Sequence, residues 1–445
     1  MRRRLVTTTS AAVLVAAALA GAAAQASPGS GYTSPVVAIP TAPGATATGH
    51  GTGGEPRILV TDDGRILVAA HFSGWDCVTR RPSPDKGHQC VWLSRDGGRH
   101  FALAGGELNQ QGDDVDLAVS NGVLLESTMT NKGLGTGVLG TTVTRSTDGG
   151  RTWTETVAAN STLLNDRPFM LAVPDGGLVL TFDALPGGIQ LVRSTDDGAT
   201  WGLPQPVAIP GGTGAAVALN GAPAIDRAHR RLVVPYAVGS SPTCTSGAAG
   251  CINTISVARG AYDGTGWQSE LALTLPEDMG SQSLVSAAVD SAGATYLALG
   301  TARGGTATVA PDHAAHVQLA TKTPTGWRLQ QVDTRGGSAM LPNIVAGKAG
   351  RVVVAYYWSP NADAQSVARP WSVVVADSHD GGRTFARTVV SRVAWVGAAV
   401  DHQLTLWDLF GVTLDAVGKV HVAWTQVSKM TPDGPLTEIA YSRQR

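Results

Sequence analysis

The sequence predicts an all-β chain: a β-propeller of four-stranded antiparallel blades, seven by preference, with six as the rival count. Three observations predict it. A pattern Ser-x-Asp-x-Gly-x-x-aromatic occurs four times, starting at Ser94, Ser146, Ser194 and Ser378 and ending at Phe101, Trp153, Trp201 and Phe385. Short β-type runs recur in one order, in units of roughly fifty to seventy residues, as repeated blades with uneven loops do. Finally, 55 Gly and 24 Pro punctuate the 445 residues, and few windows carry a helical period.

The pattern has a physical reading. Ser and Asp side chains bond nearby backbone N–H groups, and Gly supplies the positive φ of a tight hairpin turn. The aromatic residue then opens the outgoing strand and is expected to pack on its blade.

Taken in order, residues 1–26 read as an export signal, with Arg2-Arg3-Arg4, an alanine-rich middle and a small-x-small site at Ala24-Gln-Ala26. Sec and Tat export are both open. No second apolar stretch of spanning length follows, so a secreted, soluble product without a membrane span is expected. Residues 27–54 read as a Pro/Gly/Ala/Thr linker holding one strand, 36–39. Residues 55–445 read as a single propeller domain.

Unit one has Arg57–Val60, the Asp62-Asp-Gly64 turn, Arg65–His71, a long loop with Trp75 and Cys77, and Cys90–Ser94. Unit two has Val115–Val119, Asn121-Gly122, Val123–Leu125 and Thr141–Arg145. Unit three has Phe169–Val173, Asp175-Gly176, Leu178–Phe182 and Ile189–Arg193. Unit four has Ala222–Ile225, Arg231–Tyr236 and Thr254–Ala258, with a decayed turn at Gly266-Trp267. Unit five has Leu284–Val289, Thr295–Leu299 and His316–Ala320, with a decayed turn at Trp327. Unit six has Asn343–Ala346, Arg351–Tyr357 and Trp371–Ala376. Unit seven has Phe410–Leu414, Lys419–Trp424 and Glu438–Tyr441, then ends one strand short. Strand 36–39 is expected to supply the missing strand and close the ring, which removes an exposed edge.

Four cysteines, Cys77, Cys90, Cys244 and Cys251, suit disulfides in an exported chain. Three pairings exist, of which Cys77–Cys90 and Cys244–Cys251 are the simplest. A zinc site lacks the usual Cys or His spacing. The net charge of −1 and 15% charged residues call for no nucleic acid or anionic membrane.

In a propeller, the four pattern turns share one face. The opposite face carries the starts of the first strands and the channel mouth. The topology places there Arg57, His71, Asp76, Asp113, Asp114, Asp116, Asp166, Arg167, Asp183, Tyr236, Arg303, Asn343, Tyr356 and Tyr357. Arg167 is expected to pair with Asp116 or Asp166, and the structural reading of each residue competes with the functional one.

The repeated turn resembles the Asp-box, or BNR repeat, of sialidases and related β-propeller proteins. There the box is a structural turn away from the active site. Glu55-Pro-Arg57-Ile-Leu-Val-Thr-Asp-Asp-Gly64 is similar to the sialidase stretch whose Arg clamps a substrate carboxylate, with Leu59 standing where the family has Pro. The resemblance implies that Arg57 is a clamp residue, a job that suits a bidentate guanidinium, and that Asp76 or Asp85 is the acid/base. It implies Arg167 and Arg303 as further clamp candidates. Tyr236, Tyr356 and Tyr357 are the nucleophile candidates by location. The partnering Glu of that family has no match, since no Glu lies between Glu155 and Glu270.

Three functions follow as expectations, with an extracellular glycan or glycoconjugate as partner and a monomer as the working state. One is a sialidase-like exo-glycosidase. Another is a non-catalytic glycan- or protein-binding propeller. The third is a propeller-type polysaccharide lyase using His71, Tyr356 and Arg57. No cofactor is required, although Asp113-Asp-x-Asp116 offers hard oxygens to calcium. Arg57→Ala is expected to abolish ligand binding without unfolding the chain.

Overall fold

The computed structural model describes residues 31–41, 43–45, 53–72, 75–76, 81–82, 88–105, 112–130, 140–159, 164–185, 188–208, 218–239, 252–275, 279–281, 285–303, 314–362, 371–395, 411–431 and 434–445. Seven antiparallel sheets form a β-propeller, and no helix occurs among the described residues. Blade one is Gly53–Val60, Ile66–Phe72, His88–Ser94 and Ala102–Leu103. Blade two is Gly112–Ser120, Val123–Thr130, Gly140–Ser146 and Thr154–Ala159. Blade three is Leu164–Ala172, Leu178–Leu185, Ile189–Ser194 and Gln205–Ala208.

In blade four, Ala218–Asn220 and Ala224–Asp226 share the first position, followed by Arg231–Gly239, Ile252–Ala261 and Gln268–Thr274. Blade five is built likewise from Met279–Ser281 with Ser286–Val289, then Thr295–Arg303, Ala315–Thr323 and Gly326–Gln331. Blade six is Ser338–Ala346, Val352–Ser359, Trp371–Ser378 and Ala386–Trp395. Blade seven joins Gly411–Leu414, Val420–Thr431 and Gly434–Arg443 to Val36–Ile39, so the N-terminal strand closes the ring as expected.

The core is divided among the interfaces. Six buried clusters each join two neighbouring blades, a seventh joins blades six and seven and takes in Ala302 and Ala315 of blade five, and an eighth pairs Phe169 with Ala222 at the inner strands. This follows from strand alternation: each blade is apolar on both faces because each face meets another sheet.

All four pattern turns have the expected bonding. In the second, Ser146 Oγ donates to Asp148 Oδ1 and accepts from the Gly150 N–H, while Asp148 Oδ1 also accepts from the Arg151 and Thr152 N–H groups. Ser94/Asp96, Ser194/Asp196 and Ser378/Asp380 repeat the Ser–Asp bond and the Gly N–H bond at the same spacing. The last Gly of the turn is required twice over. Gly98 and Gly382 hold φ of 84° and 75°, and a Cβ there would meet Tyr441 and Leu319 of the preceding blade at 2.2 and 2.3 Å.

Two expectations change. The aromatic residue packs against the preceding blade rather than its own alone. Trp153 Nε1 donates to the Ala104 carbonyl, and Phe101 meets Tyr441 edge-on at 5.2 Å. Trp201, Trp267, Trp327 and Phe385 join the next interfaces in turn, and Tyr32, just before the closing strand, fills the place between blades six and seven. The first strands also begin earlier than the apolar runs suggest: at Gly53, Gly112, Leu164 and Ser338 in blades one, two, three and six. Gly53 and Gly54, read as linker, already pair with Phe72 and His71.

Candidate functional site

The hidden beginnings of the first strands shape the channel mouth. In blades one, three and six the register breaks between Gly54 and Arg57, Asp166 and Phe169, and Met340 and Asn343. Each break places two residues against one, a β-bulge. The first bulge residue is left-handed in all three: Glu55 (φ 54°), Arg167 (φ 54°) and Leu341 (φ 53°). The second is Pro56, Pro168 or Pro342, which has no N–H to leave unpaired. Bulges re-aim side chains at barrel rims and sites, and the residue after each is Arg57, Phe169 or Asn343.

Arg57 is fixed from two sides. Its Nε donates to Asp116 Oδ1 at 2.8 Å, and its guanidinium carbon lies 5.3 Å from the Phe169 ring centroid. Asp116 Oδ2 accepts from the Met170 N–H at 2.8 Å. Blades one, two and three thus meet at one ion pair. Among the described residues the terminal nitrogens of Arg57 make no hydrogen bond. A cavity of about 90 Å³ adjoins Arg57 and Asn343, walled by Ala222, Pro223, Ala287 and Gly411. At roughly 30 Å³ per liquid water, it admits a carboxylate-sized group beside the guanidinium.

A second polar cluster lies between blades three and four. Asp166 and Asp183 are direct cross-strand partners. Arg167 reaches both, with Nε 4.0 Å from Asp166 and Nη1 3.6 Å from Asp183. Asp183 Oδ1 accepts from the Asn220 N–H at 2.6 Å, and Asn220 Nδ2 donates to the Arg167 carbonyl and to Thr181 Oγ1. Asp183 Oδ2 and Asn220 Oδ1 are buried acceptors without a hydrogen bond. Burial pushes the Asp183 carboxyl up to about 7; Arg167 opposes this and Asp166 reinforces it.

The expected residues therefore separate. Arg57 with Asp116, and Arg167 with Asp166, come together at the mouth. Arg57 takes the Asp116 partnership that was expected of Arg167, because the bulge turns Arg57 across the first strands. Tyr356 is buried between blades five and six, and burial pushes its hydroxyl up to about 12. Tyr357 is buried between blades six and seven, where its hydroxyl donates to the Thr425 carbonyl and accepts the Thr425 N–H. Tyr236 packs in the cluster between blades three and four. These placements correct the expectation of a mouth-facing tyrosine at Tyr356 or Tyr357: strand alternation sends those two side chains into blade interfaces.

His71 pairs with Gly54, and Asp76 lies in a short strand, Trp75–Asp76, paired with Arg81–Pro82. Their side chains fall outside the described residues, as do those of Arg303, Asp113 and Cys90. Asp85, Cys77, Cys244 and Cys251 lie wholly outside. Among the described residues no group of three His, Cys, Asp or Glu could hold a metal ion, and no helix is long and apolar enough to cross a membrane. Phe169 and Asn220 were not singled out from sequence. The legible signal was the pre-proline residue ahead of a β-run, repeated at Glu55-Pro56, Arg167-Pro168 and Leu341-Pro342.

No family model matches the chain, and no curated protein matches it. Solved structures do. A polysaccharide lyase of family PL25, an ulvan lyase solved with -[GlcA(1-4)Rha3S]-, aligns at TM-score 0.61 and 10% identity, covering 91% of this chain and 95% of that one. A protein of unknown function from Dyadobacter fermentans DSM 18053 aligns at TM-score 0.53 and 13% identity, covering 94% and 100%. A Hadza microbial sialidase aligns at TM-score 0.45 and 15% identity, covering 81% and 73%. The first two establish a shared architecture.

Proposed function

We propose that this chain is an exported propeller that binds an acidic glycan at the channel mouth and cleaves it as a polysaccharide lyase. One observation carries the reading: Arg57, fixed by Asp116 and Phe169, lines a carboxylate-sized cavity, and among the described residues its terminal nitrogens make no hydrogen bond. A guanidinium there neutralises a uronate carboxylate and makes the adjacent C–H more acidic. It also stabilises the negative charge that grows as the proton leaves. His71, across the strand pair from Gly54, is the candidate proton acceptor; the freed electron pair forms the C=C bond as the adjacent glycosidic C–O bond breaks, and the departing oxygen takes its proton from solvent or back from His71. Elimination needs no covalent nucleophile, which suits a chain whose Tyr356 and Tyr357 are buried. The ulvan lyase with which the fold aligns was solved with a glucuronate-containing ligand, which supports the same choice. The Ser-x-Asp-x-Gly turns fit an Asp-box relationship to sialidases, for which hydrolysis of a sialoside is the competing outcome.

The test uses uronate polysaccharides, read by ultraviolet absorbance of an unsaturated product, beside a fluorogenic sialoside. Absorbing product is expected with the first and no fluorophore with the second. Arg57→Lys keeps a cation near Asp116 but loses the planar fork, so activity should fall at least tenfold, by about 1.4 kcal/mol, with thermal stability little changed. Arg57→Ala is a poorer probe than the sequence suggested. It strands the buried Asp116 carboxylate and should cost roughly 3 kcal/mol of stability. Sialic acid release without unsaturated product would replace the lyase reading. Saturable binding with neither product would leave a lectin.

A further inference from the structure

The three matched bulges supply an internal control. In the sixth blade the bulge is Met340-Leu341-Pro342, with Met340 opposite Tyr357. In the third it is Asp166-Arg167-Pro168, with Asp166 opposite Asp183. The backbone is the same, down to φ values of 53° and 54°. An apolar sequence therefore meets the needs of the fold, and the charges in blade three serve something else.

They are also costly. Like charges directly opposite on antiparallel strands destabilise the pair. A buried carboxyl pays desolvation, and a left-handed non-Gly residue adds strain. Such violations concentrate at functional sites. The outer member, Asp166, has a side chain 27% exposed, while that of Asp183 is fully buried. Among the described residues the Asp166 side chain makes no hydrogen bond, and its ion pair with Arg167 is 4.0 Å long. Behind it, Asn220 Oδ1 is a buried acceptor without a hydrogen bond, and Asp183 Oδ2 has only the 3.6 Å ion pair with Arg167 Nη1. The cluster is rich in acceptors and carries no excess positive charge, so it suits hydroxyl donors and repels a second carboxylate.

We infer that Asp166, backed by Arg167 and Asp183, forms a subsite for the hydroxyls of a neutral sugar next to the acidic sugar held at Arg57. The substrate class is then a mixed glycan alternating uronate and neutral residues, rather than a homopolymer of uronate. This rests on the Arg57 reading for the acidic sugar, whereas the Asp166 cluster stands on its own geometry.

The experiment is calorimetric titration of the full chain with three probes: an oligogalacturonate, an unsulfated chondroitin oligosaccharide of equal length, and a neutral cello-oligosaccharide. The mixed probe should bind wild type about tenfold more tightly than the all-uronate probe. Asp166→Ala should erase that preference, and Asp166→Asn, which keeps one acceptor, should restore part of it. Thermal unfolding should show both variants folded, since the Asp166 side chain reaches solvent and makes no hydrogen bond among the described residues. A preference that survives in folded Asp166→Ala overturns the subsite. So does equal binding of the two acidic probes by wild type. Asp166-dependent binding of the neutral probe without binding of either acidic probe would keep this subsite and remove the Arg57 reading. Absence of binding to all three would remove both.

Discussion

At the scale of single residues, burial decides what a polar group can do. Glu126 faces the interface of blades one and two, on the side of its strand shared with Leu124. It is fully buried, with one oxygen bonded by Thr144 Oγ1 at 2.9 Å and the other without a partner. Burial pushes its carboxyl up to about 8, the Thr144 bond opposing and Glu155 reinforcing. The folded value exceeds the unfolded one, so the protonated form is favoured by folding. That contribution is whole below the unfolded pKa near 4.3 and is lost as pH rises toward 8. Glu126→Gln cannot ionise and should lose less stability between pH 5 and pH 8 than wild type. Parallel melting curves at the two pH values check this, and identical losses would show that Glu126 is solvated in the fold. The same scale explains the site. Arg57 has its position because a bulge re-aims it and Asp116 holds it.

At the scale of elements, the repeated turn is a joint between blades more than a cap on one. Its Ser and Asp close the hairpin, its Gly leaves room for the preceding blade, and its aromatic residue fills the seam. Arginines add a tie: Arg95, Arg145 and Arg328 donate to the Gly149, Asp197 and Gly381 carbonyls in the turn of the next blade. Trp153→Ala should therefore open a seam and cost roughly 3 kcal/mol or more, measurable by denaturant titration. A loss below about 1 kcal/mol would show that the neighbouring blade collapses onto the gap. The turns also set acid behaviour. The Thr200 hydroxyl and backbone N–H both donate to the Asp196 carboxylate and hold it down at about 2, and Asp148 and Asp380 are held lower still by Thr152 and Thr384. A folded value below the unfolded one contributes stability above pH 4 that disappears as pH falls through the folded value. Acid unfolding of an Asp148→Asn variant should accordingly be less steep than that of wild type.

At the scale of the whole molecule, closure matters most. The strand Val36–Ile39 is short, yet Ala38 and Ile39 are buried between blades seven and one, and Tyr32 is buried between six and seven. The Thr33 N–H donates to the Arg443 carbonyl and the Arg445 N–H to that of Gly31, tying the two ends together. A chain beginning at Pro40 exposes the edge of Gly434–Arg443 and should melt earlier and associate, since bare edges pair with other chains. Size-exclusion chromatography beside thermal melting checks this; an unchanged elution volume and melting point would mean that the ring closes without its clasp.

The blade order, the turns and the closing strand were legible in the chain because each rests on neighbours a few residues apart: period-two runs, Gly at the turn, Ser two residues before Asp. The site was legible only as a face. Arg57, Asp116, Asp166 and Arg167 could be placed at the mouth by counting strands. Their pairing could not, because Arg57 and Asp116 are 59 residues apart and Asn220 and Asp183 are 37 apart. The prolines of the bulges concealed where the first strands begin, and two adjacent tyrosines had to point into two different interfaces. Local chemistry determined which sheets form and how they turn; which charges meet was decided by the ring, since only its closure brings blades one to four around a common mouth.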